Sequence, residues 1–95
     1  MFIHVRRGDI AWRILIELAG RATAVSLRDL CETLGLEPAR AADVIDKLWL
    51  DDRVEHPGRR ISGEWWQITW QGRDALRRLD EAPKRRHWWL RRELA

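Results

Sequence analysis

Ser26-Leu-Arg-Asp-Leu-Cys-Glu-Thr-Leu-Gly35 and, after two further residues, Pro38-Ala-Arg-Ala-Ala-Asp-Val-Ile-Asp-Lys-Leu48 decide how this chain reads. In the first stretch Ser26 can cap a helix, and Asp29, three residues on, resembles the carboxylate of a capping box. Leu27, Leu30, Cys31 and Leu34 follow at the i, i+3, i+4, i+7 spacing of one helical face, and Gly35 closes the segment. In the second stretch Pro38 suits a first helical turn, where a missing N–H costs nothing. Ala41, Val44, Ile45 and Leu48 form its inward stripe, and fraying is expected near Asp51-Asp52. Only Gly35, Leu36 and Glu37 lie between the two stripes, so two short amphipathic helices meet at a tight turn.

Upstream, Asp9 can cap an earlier helix that runs to about Ala19, with Gly20 at the position that calls for a left-handed residue. Ala11, Ile14, Leu15 and Leu18 make one apolar face; Trp12, Ile16 and Ala19 make a second, so this helix calls for two partners. Ala22 to Val25 suits a brief strand. Downstream the period changes from helical to alternating. Val54 starts an extended segment, His56-Pro57-Gly58-Arg59-Arg60-Ile61-Ser62-Gly63 interrupts it, and Glu64-Trp-Trp-Gln-Ile-Thr69 resumes it with Trp66 and Ile68 on one side and Trp65 and Gln67 on the other. That pattern predicts a hairpin. Gly72 is expected to open a further helix with Ala75, Leu76 and Leu79 inward, and Pro83 to start a last one that carries Trp88, Trp89, Leu90 and Leu94.

Ninety-five residues and 11.3 kDa suit a single domain, with no repeat, linker or low-complexity stretch. Apolar residues make up 45% and charged residues 35%, the balance of a folded soluble domain, and seven tryptophans supply much of the area a small core needs. Of the 18 cations only Lys47 and Lys84 are lysines. Arginine suits bidentate phosphate and base contacts, and a GC-rich genome gives the same bias. Charge is uneven: residues 1–52 carry 7 basic and 9 acidic groups, residues 53–95 carry 11 and 6. The one cysteine, Cys31, excludes a disulfide framework and points to a reducing compartment. The opening residues lack the apolar run of a signal peptide and no stretch approaches a membrane span, so a cytoplasmic protein without membrane contact is expected.

Helix, short strand, helix, tight turn, helix, hairpin and helix is the order of a winged helix-turn-helix. Two stretches strengthen the likeness. Leu48-Trp-Leu-Asp-Asp-Arg-Val54 resembles the end of the recognition helix and start of the wing in MarR-type regulators, and Trp66-Gln-Ile-Thr-Trp-Gln-Gly-Arg-Asp-Ala-Leu76 resembles the segment that ends the wing there. Arg7-Gly-Asp-Ile10 and Ile68-Thr-Trp-Gln-Gly72 are more loosely similar to small prophage-borne winged-helix proteins. The resemblance covers roughly residues 9–80 and implies a mainly α fold with a small β-hairpin wing, here followed by an extra C-terminal helix over 83–94. The matching residues are core and turn residues, so they speak to fold more than to function.

The resemblance implies double-stranded DNA as partner, sequence-specific or read through shape, and a small transcriptional regulator of phage or mobile-element origin. In that scheme Arg40, Asp43 and Lys47 on the third helix face the bases, Arg59 and Arg60 at the wing tip hold the backbone, and Arg28 touches a phosphate. Asp43 departs from the family pattern, which commonly has a cation or a small hydroxyl residue there. From Leu36 to Asp52, Arg40 and Lys47 stand against Glu37, Asp43, Asp46, Asp51 and Asp52, which is poor chemistry for approaching a polyanion. The alternative is therefore a protein-interaction module whose acidic third helix binds a basic partner or mimics nucleic acid, as a phage-encoded inhibitor of a host nucleic-acid machine would.

The basic run Lys84-Arg-Arg-His-Trp-Trp-Leu-Arg-Arg92 allows a nucleic-acid contact, a membrane-surface helix or a pairing helix. Pairing is preferred, because packing of Trp88 and Trp89 against Trp12 and Ile16, within or between subunits, explains both surplus apolar faces; a homodimer follows. No enzyme, metal or cofactor is expected. His4, His56 and His87 are far apart, His56 before Pro57 suits a turn, Cys31 suits a small buried hydrophobe, and Asp51-Asp52 suits a solvated helix end.

Overall fold

The structure is a computed structural model that describes residues 3–79, without the side chain of Arg59. The last helix, expected over 83–94 with Trp88 and Trp89, lies outside the described residues. Four helices and a three-stranded antiparallel sheet make an α+β fold. In order these are α1 (Ile10–Ala19), β1 (Val25–Ser26), α2 (Leu27–Leu34), α3 (Pro38–Leu50), β2 (Val54–Glu55), a single 3-10 turn (Pro57–Arg59), β3 (Trp65–Ile68) and α4 over residues 70–79.

α1 and α2 begin where a side chain can take up an orphan N–H. Asp9 accepts from the amide of Trp12 at 2.9 Å and Ser26 from that of Asp29 at 3.1 Å. α3 starts without a side-chain cap, on Pro38. The ends were less legible. Gly20 has φ −84°, so it is right-handed and not the left-handed residue expected; its amide bonds to Ile16 and Leu18 and the chain turns on through an Arg21–Leu18 bond, which any residue could make. Gly35 does use its freedom (φ 66°), which lets the amide of Leu36 reach the carbonyl of Cys31. The end of α3 is capped, not frayed. Asp52 adopts φ 58°, its amide bonds to Trp49 and that of Arg53 to Leu48, so a Schellman motif forms with aspartate in the usual glycine position.

The expected stripes face the core, but not all of their members are fully buried. Ala11, Ile14, Leu15 and Leu18 of α1, Leu30 and Cys31 of α2, and Ala41, Ile45 and Leu48 of α3 are buried, with Val25, Val54 and Trp66 from the strands. Leu27, Leu34, Val44, Ile68 and Leu76 pack half-buried around them. The sheet is larger than a hairpin. β3 lies in the middle, Val54 opposite Ile68 on one side and Val25 opposite Trp66 on the other. Ser26 is thus both Trp65's partner in the sheet and the cap of α2, and the amide of Leu27 bonds to the carbonyl of Glu64 at 3.1 Å. Ile3 and Val5 pack on the core, and the amide of Ile3 donates to the Asp51 carboxylate.

Gly72 does not open the helix expected to follow the hairpin. α4 begins two residues earlier, with Thr69 as its cap: the hydroxyl accepts from the amide of Gly72 at 3.1 Å and donates to the carbonyl of Asp52 at 2.5 Å. A Cβ on Gly72 would sit 2.3 Å from the Arg53 carbonyl oxygen, so glycine is there to let α4 lie against the backbone at the root of the hairpin.

Candidate functional site

The outer face of α3 is exposed from Ala39 through Arg40 and Asp43 to Asp46 and Lys47. One helical turn joins its central charges: the Lys47 ammonium lies 3.1 Å from the Asp43 carboxylate, both side chains more than half exposed. Arg28, in the first turn of α2, is likewise engaged, 3.4 Å from Glu32. Arg40 is exposed and carries no such ion pair among the described residues. Arg60, just past the 3-10 turn, is exposed as well, with an extended backbone (φ −68°, ψ 152°). The backbone of Arg59 closes the 3-10 turn.

Arg60 stands between two grooves. One, about 630 Å³, has Thr23 and Ala24 on one side and His56, Arg60, Ser62 and Trp65 on the other. The second, about 470 Å³, runs along the opposite side of the hairpin past Asp52, Glu55, Ile61, Ile68 and Trp70 to Trp49. Trp49 is the contribution of α3 to that groove, nine residues from Arg40 and hence about 13 Å along the helix at 1.5 Å per residue. The structure therefore brings Asp43 and Lys47 together, and puts Arg60 on a groove that α3 lines through Trp49, about 13 Å along the helix from Arg40.

His56 is not the simple turn residue expected. It is 4% exposed, with its ring 3.9 Å from that of Trp66 and 5.9 Å from that of Trp49 between centroids. A carbonyl only accepts, so Nδ1 carries the hydrogen in the 3.0 Å bond to the carbonyl of Trp65. The signal for this was present. With Val54 inward and Glu55 outward, the two-residue period of a strand turns His56 back to the core opposite Trp66. Trp65, on the outer side, is 52% exposed although its backbone is held twice, by His56 and by the pairing with Ser26. On α1, Ile16 is 46% exposed while Trp12 and Ala19 are half-buried, so the second apolar face is open in part.

This fold is similar to that of RV1404 from Mycobacterium tuberculosis. The crystal structure of that protein matches with TM-score 0.66 at 23% sequence identity, over 90% of the present chain and 59% of the RV1404 chain. The likeness bears on fold alone, and the present chain spans little more than half the length of its neighbour. No protein-family model and no curated protein matches the chain.

Among the described residues no three His, Cys, Asp or Glu side chains gather where a metal could sit, Cys31 is a buried free thiol, and no helix is long and apolar enough to cross a membrane. In the second half of α4, Arg77 and Arg78 both reach Asp74, at 2.5 and 2.8 Å. The hydrogen bond from Arg77 leads in holding this carboxyl below its ordinary value of 3.8.

Proposed function

We propose that the protein is a winged helix-turn-helix domain that binds double-stranded DNA and acts as a small transcriptional regulator. The support is the sequence α2, three-residue turn, α3, hairpin, with exposed guanidiniums at two places such a domain would lay on a duplex. Arg40 near the start of α3 would reach base edges or flanking phosphates, and Arg60 on the wing, with Arg59 beside it, would hold the backbone of the adjacent minor groove. The observation that carries the reading is Arg60, exposed at the tip of a loop whose two ends are fixed in the sheet. Arg28 and Lys47 contribute less, because each already has a carboxylate at hand.

Salt dependence of duplex binding tests this. Each lost phosphate contact flattens the log–log salt slope by about 0.9, so an Arg40→Ala, Arg60→Ala double variant that loses two contacts flattens it by nearly 2. Between 50 and 200 mM salt each contact then accounts for about a 3.5-fold change in affinity. Undetectable binding of a mixed-sequence duplex by the wild-type protein at low salt removes the proposal.

One observation favours a second reading. Asp43 and Asp46 are both exposed on α3, and the pair with Asp43 takes up the one lysine there. A basic protein partner would meet that face better than a phosphate does. Asp43→Ala with Asp46→Ala should then abolish partner binding and leave duplex binding undiminished. A homodimer is part of the primary reading, through the partly open face of Trp12 and Ile16 and the segment that carries Trp88 and Trp89. Sedimentation of the full chain decides it: a monomer mass at micromolar concentration refutes pairing.

A further inference from the structure

The two grooves beside Arg60 differ in charge. The groove on the α3 side contains Asp52 and Glu55; the groove on the β1 side contains no carboxylate among the described residues, although Glu64 precedes Trp65 in the chain. The β1-side groove offers one guanidinium (Arg60), two hydroxyls (Thr23 and Ser62) and an indole face, in a volume typical of sites for small ligands. Its indole is unusual. A tryptophan half open to water on a strand normally stands on a mobile edge, whereas Trp65 lies on the central strand with its carbonyl bonded to buried His56 and the preceding carbonyl bonded to Leu27. The ring is thus offered to solvent by a backbone that cannot easily move. A flat apolar face, a cation and neutral donors without an acid match a nucleotide: base on indole, phosphate on guanidinium, sugar or phosphate oxygens on the hydroxyls.

We infer that this groove seats one unpaired nucleotide of a bound DNA, its base stacked on Trp65 and its phosphate against Arg60. The inference rests on the DNA-binding reading above and narrows it. The protein is then a reader of duplexes that contain a locally extruded or unpaired base, since a base inside the stack cannot offer its face to an indole.

The test compares a short mixed-sequence duplex with the same duplex carrying one bulged thymidine, each end-labelled, by fluorescence anisotropy on the full chain. Stacking on an aromatic side chain predicts roughly tenfold tighter binding of the bulged duplex. Trp65→Ala should erase that preference and leave affinity for the paired duplex unchanged, and Trp65→Phe should keep part of it. Should the alanine variant fail to fold, Trp65→Leu, of similar bulk but without a π face, takes its place against Trp65→Phe. Equal affinity of the wild type for both duplexes, or a preference that survives loss of the ring, overturns the inference and leaves the DNA-binding reading standing. Binding of neither duplex overturns both.

Discussion

Gly72→Ala is the substitution whose outcome follows most directly from the structure. In an ordinary helix interior it would stabilise by roughly 0.8–1 kcal/mol, because alanine restricts the unfolded chain and glycine does not. Here the new methyl would lie 2.3 Å from the Arg53 carbonyl oxygen and 2.7 Å from Cγ1 of Ile68. The isoleucine tip could rotate, but the carbonyl is backbone. It accepts the amide of Thr69 at 3.1 Å, and the Arg53 amide is tied to Leu48 at 2.9 Å, so retreat would break the sheet end, the Schellman turn or both. Overpacking of this kind typically costs about 1–3 kcal/mol, and the rigid neighbour places Gly72 at the upper end. After subtraction of the propensity gain, a net loss of about 2 kcal/mol remains, equivalent to roughly 8–16 °C in the thermal midpoint of a domain this size. Gly20→Ala is the internal control: its Cβ would meet only ordinary contacts at 3.7 Å and its φ is already right-handed, so a gain of about 0.4–1 kcal/mol is expected. Urea unfolding of the two variants with the wild type decides the matter. A Gly72→Ala protein as stable as wild type would refute the close approach of α4 to the hairpin root.

His56→Ala removes a bond to the Trp65 carbonyl and the packing against Trp66, a loss of about 1–3 kcal/mol, visible in urea unfolding and in the near-ultraviolet dichroism of the tryptophans. Unchanged dichroism would mean that the imidazole is not packed between the rings. Asp43→Ala frees Lys47 and removes a carboxylate, so duplex affinity should rise about threefold at low salt while stability changes by less than about 0.5 kcal/mol; a fall in affinity would mean that the Asp43 carboxylate itself accepts a hydrogen bond from a base. Asp74, whose pKa is lowered on folding, contributes stability above its unfolded value of 3.8 and loses it as pH falls through the lower folded value. The thermal midpoint of Asp74→Asn should therefore fall below that of wild type at neutral pH, and the two should converge in strong acid.

Helical periodicity was the most readable signal. Every buried residue of α1 and α3 lies on a stripe visible in the sequence, because one face of an amphipathic helix has only one place to go. Ends were harder, since a cap depends on what the chain meets next. Asp52 takes a left-handed conformation that sequence assigns first to glycine, and Gly20 declines it. Gly72 looked like a helix start because its true role, clearance for the Arg53 carbonyl, belongs to a segment nineteen residues earlier in the chain. The brief strand expected over Ala22 to Val25 is Val25–Ser26, and its place beside Trp65 and Trp66 was not legible for the same reason: two residues carry too little pattern to announce a partner forty residues away. Of the candidate site, the exposure of Arg40 and Arg60 could be read from residue type and place. The ion pairs that occupy Arg28 and Lys47 needed coordinates, whereas His56 could have been placed by carrying the strand alternation two residues further.

Ser26 has a mechanical consequence. The residue that ends the sheet edge also begins α2, so the hairpin and the helix pair are joined without slack, and Leu27 and Glu64 lock the same joint from the other side. A load that twists the hairpin tip, such as a polymer drawn across Arg60, is delivered to the first turn of α2 and through it to the three-residue corner that aims α3. The amide protons of Leu27 and Asp29 are the strain gauges of that linkage, and a ligand that grips the tip alone should slow their exchange with solvent.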